Sequence, residues 1–402
     1  MVGGAMAAAV IALTAAVVLG QAVTAPKPFP GPVRLLLPPR INAVPGIEMN
    51  VYFDNVCLVV NRANYVFDVT CDKGVQQAER WTFVPTNEDV GQFPFVLEVR
   101  DEANRVIARA ESVLVVAPKD AGAGVPVSFL TIGASETHAA VYPAHLLDLC
   151  KAEGNPQFAL VGHVPDPKKP DVRIEGYGGW TAERFMTHSI AEKRPEGPVD
   201  WKAWNALGSP FLYPDGQGKF KADFGQYCRE FNQGKGPDFV TITVGGNDLF
   251  RCTDEDIDAT IAKMFTYFDE MVDMVRQVRK DTEIGAVLMY PPAASQDAFG
   301  ANYRCTQTQW QCKRNIHRAY ERMIEKFGGR EAEHITLVPV KINVDCEHNF
   351  PTLKAPWNAQ TTTAGLRLNN GLHPAEEGYR QIGDTIYCWM KAQLAAEGHG
   401  RE

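Results

Sequence analysis

The chain has 402 residues and a formal net charge of −8. That length leaves room for two or three domains and a large core. The negative balance, with no long run of lysine or arginine, argues against a nucleic-acid-binding surface.

The first 25 residues carry no charged side chain, Ala5 to Leu19 is apolar or small throughout, and Val23-Thr24-Ala25 offers a small-residue cleavage site. This pattern reads as a signal peptide over residues 1–25, cut near Ala22 or Ala25, and predicts a secreted or periplasmic protein. The alternative is an uncleaved N-terminal anchor, because the stretch approaches spanning length. Nine cysteines fit an oxidising compartment.

Residues 26–118 are rich in short strand patterns, at 33–37, 48–53, 65–70, 80–84, 93–99 and 106–116, with turn signals between them. A small all-β sandwich is expected there, followed by a Gly/Pro-containing linker over 119–126. Cys57 and Cys71 fall in neighbouring strand-like segments, so a disulfide across a hairpin is expected. Cys252, Cys305, Cys312 and Cys346 fall in loop-like sequence and are candidates for further bridges. Cys150 and Cys388 lie on predicted helix faces and read as buried thiols. Metal-ligand spacing is absent, with no C-x-x-C and no H-x-x-x-H, so no metal is expected.

From residue 127 strands alternate with helices. Apolar strand patterns occur at 127–132, 158–163, 239–244, 284–290 and 335–340, each short enough to be buried on both faces. Helical patterns run over 254–280, 309–327 and 374–396, and Thr253 with Asp256 resembles a capping box at the start of the first. The pattern predicts a three-layer α/β domain with a five-stranded parallel sheet over 127–402. Residues 181–235 form a Gly/Pro/Trp-containing insertion near the active face.

Four short motifs follow in order. Gly133-Ala134-Ser135-Glu136-Thr137 ends the first strand and supplies a hydroxyl at the carboxyl edge of the sheet, where ligands bind in open α/β folds. Gly178-Gly179-Trp180-Thr181 offers a backbone N–H where no side chain blocks approach. Gly245-Gly246-Asn247-Asp248 ends the third strand and offers a side-chain amide. Asn370-Gly371-Leu372-His373-Pro374 offers an imidazole just before the last helix. Taken singly, each has a plainer reading as a helix cap, a turn, an Asx turn or an exposed histidine. Together they are the equipment for acyl transfer.

Over residues 127–395 the chain resembles the SGNH hydrolases, also called the GDSL esterase/lipase family. The resemblance implies a flavodoxin-like fold with five parallel strands and no cofactor. It implies Ser135 as nucleophile and His373 as general base. The oxyanion donors it implies are the N–H groups of Ser135 and Gly179 and the side chain of Asn247. Two positions depart from the pattern. Ala134 stands where the family has aspartate in Gly-Asp-Ser, and Asn370 stands where a carboxylate is expected three residues before the histidine. A carboxylate there fixes the tautomer and stabilises the imidazolium, and an amide can do only the first. Three readings stay open: Asn370 or a backbone carbonyl assists His373; a carboxylate comes from elsewhere, with Asp345 in Asp345-Cys346-Glu347-His348 the first candidate; or the protein is a non-catalytic relative.

The expected function is a secreted serine esterase acting on O-acetyl groups of a carbohydrate, with Tyr177, Trp180, Trp201 and Trp204 as candidate sugar-stacking aromatics. The alternatives are a lipase or arylesterase on simpler esters, or a degenerate binding protein. The expected partner is a small ester or an acetylated polysaccharide, with no nucleic acid and no membrane contact beyond an uncleaved N-terminal anchor.

Overall fold

The computed structural model describes residues 33–190, 208–287 and 289–399. The expected signal peptide at 1–25 and the Trp201 and Trp204 pair lie outside them. Among the described residues no helix is long and apolar enough to cross a membrane.

The first part of the chain forms strands β1 (Arg34–Leu35), β2 (Arg40–Ala43), β3 (Met49–Tyr52), β4 (Cys57–Leu58), β5 (Val66–Thr70), β6 (Val75–Gln76), β7 (Arg80–Phe83), β8 (Gly91–Arg100) and β9 (Val106–Val116). They pair as a four-stranded sheet in the order β2-β9-β8-β5, a three-stranded sheet in the order β3-β7-β6, and the short pair β1-β4. Trp81 on β7 meets Phe95 on β8 edge to face, with centroids 5.1 Å apart, so aromatic rings join the two main sheets. This is the β-sandwich. Strands β4 and β6 are two residues long, too short for an alternation to be read in sequence.

The expected disulfides do not form. All nine cysteines are free thiols. The hairpin that would have joined Cys57 to Cys71 does not form, because β4 pairs with β1 while β5, which Cys71 follows, pairs with β8. Cys252 and Cys346 lie in loops as expected and are buried there, whereas Cys312 is buried in the helix Gln309–Phe327. Cys150 and Cys388 are buried on helices as expected.

A seven-stranded sheet begins at β10 (Pro126–Gly133) and continues through β11 (Gln157–Val161), β12 (Val164–Pro165), β13 (Arg173–Gly176), and then β16 (Phe239–Thr243), β17 (Glu283–Val287) and β18 (Ile335–Val338), after the separate pair β14 (Leu212–Pro214) and β15 (Phe220–Ala222). Strand β11 lies parallel to the first half of β10 and β13 to its end; β16, β17 and β18 extend the sheet on the other side, all parallel. The order is flavodoxin-like, with the short antiparallel β12–β13 pair added. Helices Val141–Cys150 and Glu376–His399 pack on each other, and Trp389 of the latter meets Phe129 and Phe239 of the sheet edge-on. Helices Ala182–Thr187, Ile257–Arg276 and Gln309–Phe327 form the other group. The result is a three-layer α/β domain preceded by a β-sandwich.

Two helix ends differ from the sequence pattern. The third expected helix starts at Glu376 rather than at Pro374. The one expected over 254–280 runs from Ile257 to Arg276. Asp256 Oδ1 accepts from both the N–H and the hydroxyl of Thr253, which holds 253–256 in a turn before the helix. Polar groups join the two parts of the chain: Asn55 Nδ2 donates to the carbonyls of Lys341 and Val344 at 2.8 Å each, and the Asn50 N–H donates to Asn343 Oδ1 at 2.9 Å.

Candidate active site

Strand β10 carries the chain to the carboxyl edge of the sheet. Ala134 breaks the strand at φ −91°, ψ −135°, and Ser135 opens the four-residue helix Ser135–His138. This helix crosses the end of β13 closely. A Cβ on Gly176 would lie 2.4 Å from the backbone nitrogen of His138, so only glycine fits.

His373 reaches Ser135 from the far end of the chain, with Nε2 2.8 Å from Oγ. The histidine sits in a pinned loop rather than in a helical turn. Asn370 Oδ1 accepts the N–H groups of Leu372 and His373 at 3.1 and 3.0 Å. The Tyr290 hydroxyl donates to the Leu372 carbonyl at 3.0 Å, and the Gly371 N–H donates to Asn302 Oδ1 at 2.9 Å. Burial lowers the His373 pKa from its ordinary 6.5, so the ring is neutral near pH 7 and Nε2 can take a proton.

The amide of Asn370 therefore acts on the backbone and not on the imidazole. Among the described residues His373 makes no side-chain hydrogen bond at Nδ1. Asp345 is not a substitute. Its carboxylate accepts the N–H groups of Glu347 and His348 at 2.9 Å each, contacts His348 Nδ1 at 3.0 Å and accepts from the Tyr52 hydroxyl at 3.3 Å. The D-x-x-H spacing at 345–348 thus makes its own pair beside the β-sandwich.

Gly179 has φ +78°, a left-handed conformation that favours glycine. Asn247 donates one amide hydrogen to the Trp180 carbonyl at 2.9 Å, which orients the side chain and leaves its second hydrogen available. Next to it, Asp248 accepts the Ala182 N–H at 3.2 Å, tying this loop to the helix Ala182–Thr187, and burial pushes its carboxyl up to about 6. Ser135, Gly179, Asn247 and His373 all line one cavity of about 710 Å³, walled by Phe250, Met289, Tyr290, Tyr303 and Ile316. The arrangement brings together a hydroxyl, a neutral imidazole in contact with it and two further hydrogen-bond donors.

Trp180 and Tyr177 do not form a sugar platform. Both are fully buried, stacked on each other with centroids 4.3 Å apart. Sequence reasoning missed Glu136, which also lines the cavity; its only signal was a charged residue inside a motif otherwise headed for the interior. Among the described residues one exposed or half-buried group, Glu79, Glu347 and His348, has ligand atoms within 4.8 Å of one another, and none of the three lines this cavity.

Residues 170–381 match the model of the GDSL-like lipase/acylhydrolase family, a span that includes Gly179, Asn247, Asn370 and His373 and begins after Ser135. No curated protein matches the chain. Solved structures similar to it include a possible lipase from Chitinophaga pinensis, 13% identical, covering 66% of this chain and 98% of that one with a TM-score of 0.36. A carbohydrate acetylesterase family member from Sinorhizobium meliloti is 11% identical, covering 67% and 99%, with a TM-score of 0.37. An acetyl xylan esterase is 13% identical, covering 65% and 98%, with a TM-score of 0.33.

Proposed function

The chain belongs to the GDSL-like lipase/acylhydrolase family and is an ester hydrolase, and from that premise we propose that Ser135 is its nucleophile and His373 its general base. The observation that carries this reading is the 2.8 Å contact between His373 Nε2 and Ser135 Oγ inside the cavity. Nε2 takes the hydroxyl proton as Oγ attacks the ester carbonyl. The N–H groups of Ser135 and Gly179 and the free amide hydrogen of Asn247 receive the oxyanion. Collapse of the tetrahedral intermediate expels the alcohol, which takes the proton from His373. Water, deprotonated by the same ring, then releases the acid and restores Oγ–H.

The proposed substrate is an O-acetyl ester on a carbohydrate. Trp357, 51% exposed, supports this reading, because it lies on the hairpin β19 (Thr352–Pro356) and β20 (Ala364–Leu368) that leads into Asn370, with the Arg367 guanidinium 4.9 Å from its ring. The apolar cavity walls favour a second reading, a lipase or arylesterase on simpler esters. The proposal also takes residues 1–25 as a cleaved leader of a secreted or periplasmic protein, on the uncharged apolar start of the chain. It takes 26–118 as an accessory domain and 127–402 as the hydrolase domain.

The test is hydrolysis of p-nitrophenyl acetate beside p-nitrophenyl octanoate by wild type and Ser135→Ala. Turnover lost in the variant supports the serine mechanism, and the chain-length ratio separates an acetylesterase from a lipase. A folded wild type inactive on both esters and on acetylated oligosaccharides would overturn it.

A further inference from the structure

Glu136 follows Ser135, is only 7% exposed and lines the same cavity. Its Oε2 is buried without a hydrogen-bond partner, and none of the ion pairs among the described residues involves it. A Cβ built on Gly246 would lie 3.6 Å from Glu136 Oε1, which puts the carboxyl beside the Gly246-Asn247 turn. Two neighbouring hydroxyls are already engaged. Tyr142 Oη shares a hydrogen bond with Thr137 Oγ1 at 2.7 Å, and Tyr290 donates to the Leu372 carbonyl.

Another carboxyl of comparable burial shows what a structural role looks like in this fold. Glu175 is fully buried and accepts from the Tyr177 hydroxyl at 2.7 Å, the Tyr227 hydroxyl at 2.7 Å and the His163 N–H at 2.6 Å. Buried polar groups are nearly always partnered in this way, and an orphan in a ligand cavity asks for an outside partner.

We infer that Glu136 is a specificity-determining residue whose carboxyl receives an O–H or N–H donor from the alcohol portion of the ester. This rests on the reading of the cavity as an esterase site for O-acetyl groups: acetyl carries no donor, so the donor belongs to the alcohol. Burial pushes the carboxyl up to about 7. In its neutral form it both donates and accepts, which suits a hydroxyl, and in its ionised form it suits an ammonium. A sugar with free hydroxyls beside its acetyl group is one source of the donor, and an amino alcohol is the other.

The test uses the Ser135→Ala protein, so that it does not depend on turnover. Calorimetry compares pentyl acetate with 4-hydroxybutyl acetate, in which a hydroxyl replaces the terminal methyl, and with protonated 4-(dimethylamino)butyl acetate. One of the two donor esters is expected to bind roughly tenfold tighter than pentyl acetate, and which one identifies the source. Adding Glu136→Met is expected to abolish that advantage. Adding Glu136→Gln is expected to keep a hydroxyl preference and lose an ammonium preference, and it serves if the methionine variant does not fold. Equal binding of all three esters, or a preference that survives Glu136→Met, overturns the inference. Turnover of p-nitrophenyl acetate by wild type reads the parent proposal separately.

Discussion

Asn370 Oδ1 accepts the backbone N–H of His373 at 3.0 Å while the imidazole of His373 turns away to Ser135. The residue that occupies the family's carboxylate position therefore shapes the loop rather than polarising the ring. Two backbone N–H groups lose their acceptor in Asn370→Ala, so a loss of roughly 1–2 kcal/mol is expected, together with lower kcat/KM from a misplaced histidine. Asn370→Asp keeps an acceptor there. Its effect on kcat/KM should stay within roughly tenfold, far from the ~10⁴ seen where a triad carboxylate hydrogen-bonds the ring. Thermal melts and steady-state kinetics on both variants check this.

The ascending limb of the pH–rate profile should follow His373. Burial disfavours its imidazolium, so its pKa lies below the ordinary 6.5. Activity is lost as pH falls through that lowered value and is complete above it. A kcat/KM profile whose acid limb has its midpoint below 6.5 fits; a midpoint above it would mean an ionised partner at the ring.

Glu136 makes an opposite contribution to stability. Its folded pKa is raised from 4.5 to about 7 by burial. The unfolded chain loses this proton at lower pH than the folded protein, so its contribution is fully present below about 4.5 and is lost as pH rises through about 7. Glu136→Gln cannot ionise. It should therefore gain on wild type between those limits, by on the order of 3 kcal/mol above the upper one. Urea unfolding at acid and alkaline pH measures the difference, and a gain independent of pH would show that Glu136 is not the group responsible.

All nine thiols are free. Titration of denatured, unreduced protein with an aromatic disulfide reagent should count nine, and the melting temperature should not fall on adding reductant. A lower count would identify a bridge.

The alternating pattern of strands and helices made the hydrolase fold legible, because strands buried on both faces and an amphipathic helix such as Gln309–Phe327 announce themselves in composition. The short strands β4 and β6 did not, since two residues carry no period. The Cys57–Cys71 bridge failed because strand pairing depends on sheet order, which neighbouring segments do not reveal. Ser135 and His373 were readable as motifs. What Asn370 does was not, because an asparagine oxygen three residues before a histidine can serve either the ring or the chain's own N–H groups, and spacing is the same for both. Trp180 looked like a binding aromatic and is core, since a large ring beside a glycine pair reads alike in either setting.

The most direct measurement is mass spectrometry of the protein after reaction with a fluorophosphonate, in wild type and in His373→Ala. One adduct, on Ser135, is expected in wild type, with a labelling rate that collapses in the histidine variant. An unlabelled Ser135 in folded wild type, or equal labelling without His373, would contradict the Ser135–His373 mechanism.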